Sequence, residues 1–284
     1  MLFGVCLPNG GSGADPHLLA ELAHKAEQAG WDGVFVEDHL VHHSGAHAPT
    51  VDPWVALAAI SLATERVLIG TQVTPLARRR AWKVAREAVT LDHLSRGRFV
   101  LGVGLGGDIW ETGYAMVGED TDPMRRARRL DDGLTALAGL WTGEPFTFEG
   151  EGVHLTEAVF LPRPVQQPRI PVWVGGTWPR PGPSERAARW DGFIPLWRPE
   201  PDDHHIVPAS EVTRIRSFIT ERRGSLDDYA IVIGGAERNQ DWESERARIA
   251  ELEEAGATWW VEYIASSDPD QMRRVADRAP LRPT

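Results

Sequence analysis

The chain has 284 residues, of which 42% are hydrophobic and 25% charged, with a formal net charge of −11. That composition is ordinary for a globular protein, and the acidic balance argues against nucleic acid or an anionic membrane as partner. Cys6 is the only cysteine, which rules out an internal disulfide and argues against a structural cysteine–zinc site.

The N-terminus shows no basic leader and reads as a strand over 3–7 that ends in the breaker cluster Pro8-Asn9-Gly10-Gly11. No apolar run reaches the ~20 residues that span a bilayer. A cytoplasmic protein without a signal peptide is therefore the expectation. Asp15-Pro16 reads as N-cap and first helical position, apolar residues recur at helical spacing from Leu18 to Ala29, and Gly30 is the stop. A second strand is predicted over 33–36 and a second helix from Asp52-Pro53 to Ala63. A third strand follows over 67–73, a third helix over 81–94, a fourth strand over 98–103 and a fourth helix over 123–141. The rhythm then breaks. Residues 146–155 alternate around a Glu-Gly turn as a hairpin does, and could be a lid or a surface decoration. Prolines from 162 to 171 carry the chain back. Strands over 172–174, 192–196, 229–233 and 258–263 then alternate with helices over 184–190, 209–223, 242–255 and about 268–278.

Eight strand–helix units with short, continuously apolar strands suit a parallel sheet covered on both faces. In one domain-sized chain they favour a closed barrel over an open doubly wound sheet. The expected fold is α/β, a single (β/α)8 barrel over 1–284, with a short hairpin insertion after the fourth helix.

Active sites of such barrels lie at the C-terminal strand ends. That rule selects Pro8-Asn9-Gly10, Glu37-Asp38-His39, Thr74-Pro75, Gly104 to Asp108, Gly175 to Trp178, Pro195 to Trp197, and Glu262. His39 titrates near neutrality and can move a proton, and a flanking carboxylate can fix its tautomer; the alternative is a loop histidine beside a solvated acid pair. His39, His42, His43 and His47 raise the question of a metal, but a loop does not fix ligand geometry, and no metal site is expected. Gly102-Val103-Gly104-Leu105-Gly106-Gly107 contains the letters of a dinucleotide fingerprint without its context, since its first glycines lie in or at the end of the fourth strand and no helix opens directly after it. Bare backbone there still permits close approach of a flat ring or a phosphate. Gly175-Gly176-Thr177 offers N–H groups for a phosphate, and the Arg180-Pro181-Gly182-Pro183 stretch precedes the next helix, whose N-terminus would also favour an anion. Arg78-Arg79-Arg80 suits either an acidic cofactor tail or a solvated helix start. The twelve tryptophans suit either an aromatic-rich core or a pocket for a flat ligand.

Three stretches together resemble the luciferase-like flavin- and F420-dependent oxidoreductases over nearly the whole chain: IGTQVTPLARRRAWKVAREAVTLDHLSRGRFVLGVGLGGD from Ile69, LPRPVQQPRIPVWVGG from Leu161 with RAARWDGFIPL from Arg186, and VEDHL from Val36. The resemblance implies FMN or coenzyme F420 held at the strand ends. It places a cis peptide at Gln72-Val73 under the ring, and Asp38 and His39 near the cofactor's reactive edge as the catalytic pair. The expected cofactor contacts are Thr71, Gln72, Val73, Gly104, Leu105, Gly106, Gly107, Gly175, Gly176, Thr177 and Trp178. The resemblance also implies a homodimer through the second and third helices. Sugar-phosphate dehydrogenases of the family carry a glutamate where Gly107 stands, which argues against that substrate class. The expected activity is F420-dependent hydride transfer or FMN-dependent oxygen chemistry on a small, largely apolar organic molecule. The alternatives are a metal-dependent barrel hydrolase using His39 to His47, and a non-catalytic flavin-binding barrel.

Overall fold

The computed structural model describes residues 1–41, 47–106, 113–198, 206–235, 238, 241–265 and 268–283. Eight parallel strands close into a barrel. They are β1 (Leu2–Leu7), β2 (Gly33–Val36), β3 (Leu68–Thr71), β5 (Phe99–Gly104), β8 (Val172–Trp178), β9 (Gly192–Trp197), β10 (Ala230–Gly234) and β11 (Trp259–Tyr263), with β11 pairing back onto β1. The two-residue β4 (Thr74–Pro75) continues β3 beyond a break and pairs with β5. The helices α1 (Pro16–Gln28), α2 (Pro53–Ala63), α3 (Ala81–Leu94), α4 (Pro123–Leu140), α5 (Pro181–Arg189), α6 (Ala209–Arg223), α7 (Trp242–Ala255) and α8 (Pro269–Ala276) follow the barrel strands in turn.

Local chemistry explains where the helices begin. α1, α2, α4 and α8 share one device, an aspartate N-cap followed by proline at the first helical position. The carboxylate takes orphan N–H groups of the first turn, as Asp52 does from Trp54 and Val55, and proline gives up an N–H the helix does not use.

Inside the barrel, alternation sends Phe35, Trp173 and Trp259 inward, where their rings meet at centroid distances of 5.3–5.8 Å. Glycines make the room: a Cβ on Gly192 would stand 2.5 Å from the Trp173 ring. These three rings plug the barrel and leave its C-terminal end as the mouth. The outer strand faces bury valine, leucine and isoleucine against the helices.

β6 (Phe146–Gly150) and β7 (Val153–Ala158) form an antiparallel hairpin after α4. It packs along α4: Phe146 fills the space above Gly139, and Asp132 Oδ2 accepts the Glu151 N–H at 2.6 Å. Two barrel-strand ends differ from expectation by more than one residue. β3 stops at Thr71, and the Gln72–Val73 peptide that follows is cis, as the resemblance implies. β8 runs on to Trp178 instead of ending at Val174, because β9 pairs with it residue by residue to Trp197.

Candidate active site at the barrel mouth

The floor of the mouth is built around Val73. Beyond the cis peptide its side chain enters a space kept open by three glycines. A Cβ on Gly104 would lie 2.7 Å from Val73, one on Gly175 would lie 3.2 Å from it, and one on Gly102 would strike the Thr71 carbonyl oxygen at 1.9 Å. The three positions belong to β5 and β8, so the glycines of the expected phosphate and ring contacts serve first to admit the bulge. Thr71 is buried, and its hydroxyl donates to the Gly102 carbonyl at 2.7 Å, which ties β3 to β5. Gln72 is buried at the mouth. Its Nε2 donates to the Tyr263 hydroxyl at 3.3 Å, while its Oε1 has no partner among the described residues.

The end of β2 departs from the expected pairing. Period two sends Val34 and Val36 outward into the helical layer and Phe35 inward. Glu37 therefore continues the inward row, and Asp38 turns outward. The Asp38 carboxylate is buried and accepts from Thr74 Oγ1 at 2.8 Å, from Arg79 Nη2 at 2.9 and 3.0 Å, and from Arg78. Arg78 also donates to the Asp38 carbonyl at 2.7 Å, and Trp54 Nε1 donates to Thr74 at 3.1 Å. Asp38 is thus the anchor of a buried charge network joining β2, β4 and the segment that leads into α3, and the expected Asp38–His39 dyad gives way to it. This network also supplies the partner of Arg78 and Arg79, which sequence left undecided. Burial opposes the Arg79 charge, yet Asp38 outweighs it and holds the guanidinium above its ordinary range. Arg80 is exposed and occupies the N-cap of α3.

His39 instead faces Glu37, with Nε2 3.4 Å from Oε2. Its backbone is clamped by Asn9, which is fully buried: the amide oxygen accepts the His39 N–H at 3.1 Å, and Nδ2 donates to the carbonyls of His39 and Val51, both at 2.9 Å. Below Glu37 lie Cys6 and Tyr263 of the inward row. Burial, and then the Glu37 carboxylate, push the Cys6 thiol well above its ordinary range. Burial, with Cys6 and Glu37 adding, raises the Tyr263 phenol likewise. Both stay protonated near neutrality.

The remaining candidates divide by the same alternation. In β8, Gly175 and Thr177 lie in the inward row. Gly176 abuts Pro183 of α5. Trp178 is buried in the helical layer against Phe193 and Phe218, with Nε1 donating to Glu211 at 2.7 Å. The Cβ direction of Gly176 and the Trp178 side chain thus face the helical layer, whereas Gly175 and Thr177 face the barrel interior. Glu262 also points outward and forms a buried ion pair with Arg238 at 3.0 Å, away from the mouth. The Leu105 carbonyl accepts from Tyr114 and Arg126, each at 3.2 Å, and Gly106 has φ +84°. Gly107, His42 and His43 lie outside the described residues. Among the described residues no cluster of three or more side chains could hold a metal ion, and no helix is long and apolar enough to cross a membrane.

A cavity of about 380 Å³ opens beside His39, walled by Leu40, Val51, Pro53 and Val117 and edged by Asp52 and Glu119. An imidazole with a carboxylate partner, lining such a cavity, can exchange a proton with a ligand that reaches it.

A family model described as luciferase-like monooxygenase matches residues 1–238. The chain belongs to this family. Among its relatives is an F420-dependent glucose-6-phosphate dehydrogenase from Nakamurella multipartita, 31% identical over 279 residues, covering 94% of this chain and 76% of that one. Solved luciferase-like structures share the fold. A monooxygenase from Streptomyces bottropensis superposes with TM-score 0.77 at 21% identity, over 97% of this chain and 96% of the other. An F420-dependent secondary alcohol dehydrogenase in complex with an F420–acetone adduct gives 0.75 at 18% identity, over 98% and 99%. Its family and its relatives make the chain an oxidoreductase.

Proposed function

We propose that the chain is an F420-dependent oxidoreductase that moves a hydride between the coenzyme and a carbon of a small, uncharged, largely apolar substrate. The observation that carries the reading is the mouth itself: a valine shelf flanked by glycines, with the buried Gln72 Oε1, unpartnered among the described residues, at its edge and His39 at its rim. Gln72, Val73, Gly104, Leu105, Gly106, Gly175 and Thr177 are the residues that would hold a flat ring. Bound F420 supplies a carbon that takes or returns a hydride. His39 takes the proton of a substrate hydroxyl as the C–H hydride leaves, and returns it in the reverse direction. The names of the sequence relatives favour F420 over FMN.

Charge supports an uncharged substrate. Residues 105–122, which connect β5 to α4, carry Asp108, Glu111, Glu119, Asp120 and Asp122 and no basic residue. The chain's lysines, Lys25 and Lys83, pair with Asp277 and Glu87 on the outer helices. Arg78 and Arg79 are committed to Asp38. Arg180, exposed at the N-cap of α5 with its N–H on the Thr177 carbonyl, is a described cation placed to meet a cofactor phosphate. A phosphate ester thus finds little to bind beside His39, in keeping with the glycine at position 107. We also propose a homodimer through α2 and α3, supported by Val55, Leu62 and Trp82, which are 66%, 74% and 49% exposed.

The test is anaerobic incubation of the protein with oxidised F420 and, separately, a series of secondary alcohols and glucose 6-phosphate. Bleaching of the coenzyme by an uncharged alcohol, slowed in His39→Ala, is the expected result. Turnover of glucose 6-phosphate in preference to every alcohol would overturn the substrate class.

A further inference from the structure

We propose that Glu37 is the positioning residue for His39: its carboxylate orients the imidazole and balances the imidazolium at the rim of the mouth. The proposal rests on the reading of His39 as acid and base, and deepens it.

Three observations converge on Glu37. It is the carboxylate that faces the ring, 3.4 Å from Nε2. It is carried by the barrel ladder and not by a loop, because its N–H donates to the Leu7 carbonyl at 3.0 Å, one step beyond the β1–β2 pairing. Its neighbour in sequence is spent, since Thr74, Arg78 and Arg79 occupy the Asp38 carboxylate.

Among the described residues, Glu37 is the carboxylate within ion-pair distance of the ring. Cys6 and Tyr263, packed beneath from β1 and β11, stay neutral. Asp38 is neutralised by Arg78 and Arg79 from the segment that leads into α3. Asp52 from the N-cap of α2 and Glu119 from the β5–α4 connection edge the same cavity, and Asp52 lies 3.6 Å from Arg79. With Asn9 fixing the His39 backbone on both sides, the ring torsions are what Glu37 sets. A proton on Nε2 facing Glu37 places the lone pair on Nδ1, the tautomer a general base needs. When His39 takes a substrate proton it becomes the imidazolium, Glu37 remains the carboxylate, and the charge pair is neutral overall. Both side chains keep about a fifth or more of their surface exposed, at 25% for His39 and 19% for Glu37, so the proton can pass on to water.

Histidine-labelled protein without cofactor, titrated by NMR, tests this directly, the His39 signal being identified by its loss in His39→Asn. An opposing charge this close shifts a titration midpoint by about one unit or more. The His39 midpoint is expected to fall by about that much in Glu37→Gln, roughly a tenfold loss of proton affinity. Glu37→Asp, which keeps the charge one methylene further back, should lie between. A midpoint unchanged in both variants overturns the proposal, whatever the enzyme does. The pH profile of kcat in the F420-loaded protein then separates the two readings. If the NMR midpoint moves and the kcat profile moves with it, both stand. If the midpoint moves and the profile does not, Glu37 still holds His39, and the catalytic reading of His39 fails instead.

Discussion

Asp38→Ala separates an anchor from a catalyst. In the folded protein the Asp38 carboxylate meets two guanidiniums whose side chains are only 7% and 19% exposed, together with the Thr74 hydroxyl. Among the described residues, alanine leaves Arg78 with no carboxylate in contact and Arg79 with only the more exposed Asp52 at 3.6 Å. Taking one partner out of a buried charge network costs about 3–5 kcal/mol, because the remaining charge is left desolvated. At roughly 2 °C per kcal/mol for a chain of this size, the melting temperature should fall by about 6–10 °C. Asp38→Asn keeps the shape and loses the charge, and should fall by less. Scanning calorimetry of the protein without cofactor reads this with no assumption about activity. A catalytic carboxylate would behave differently, since removing strained active-site groups tends to be neutral or stabilising. An Asp38→Ala protein that melts within about 1 °C of wild type, the range of an ordinary surface change, would refute the anchor.

Two further perturbations probe the frame. Gly102→Ala sets a methyl 1.9 Å from the Thr71 carbonyl oxygen, a backbone clash beyond the ~1–3 kcal/mol usual for overpacking, and should abolish soluble expression. Gly182→Ala, with nothing within 4 Å, should leave expression intact and gain about 0.5–1 kcal/mol in a denaturant melt. Glu27 supplies a pH test. Burial opposes its charge, but N–H groups of Val67, Arg66 and Glu65 bind the carboxylate and hold it below its ordinary 4.5. A depressed folded value means stability present above pH 4.5 and lost as pH falls through the folded value. Glu27→Gln should therefore melt lower at neutral pH, and the gap to wild type should close on acidification below about 4.5; a gap that stays constant would contradict the linkage.

Much of the frame is written in local chemistry. Asp-Pro pairs mark four helix starts, and Gly30, Gly224 and Gly256 mark ends in left-handed or positive-φ conformations. The mouth was harder to read. Gly175-Gly176-Thr177 looks like a loop because glycine has little strand preference; only its pairing with Ile194, Pro195 and Leu196 makes it a strand. Trp178 reads as a pocket residue until the outward phase of β8 puts it under α6. The Arg78–Asp38 link joins residues 40 positions apart, and no local pattern announces it. The Glu37–Asp38 exchange was in principle legible. The run Val34-Phe35-Val36-Glu37-Asp38 carries a period of two, and once Phe35 is known to be inward, Glu37 must follow it and Asp38 must not. Adjacency to His39 suggested Asp38; phase selects Glu37.

The central claim is that the mouth holds a deazaflavin. Titration of the purified protein with F420 and, separately, with FMN, followed by quenching of intrinsic tryptophan fluorescence, tests it most directly. Saturable micromolar quenching by F420, with FMN much weaker, is the predicted result. Tight FMN binding without F420 binding would move the protein to oxygen chemistry, and binding of neither would contradict the account.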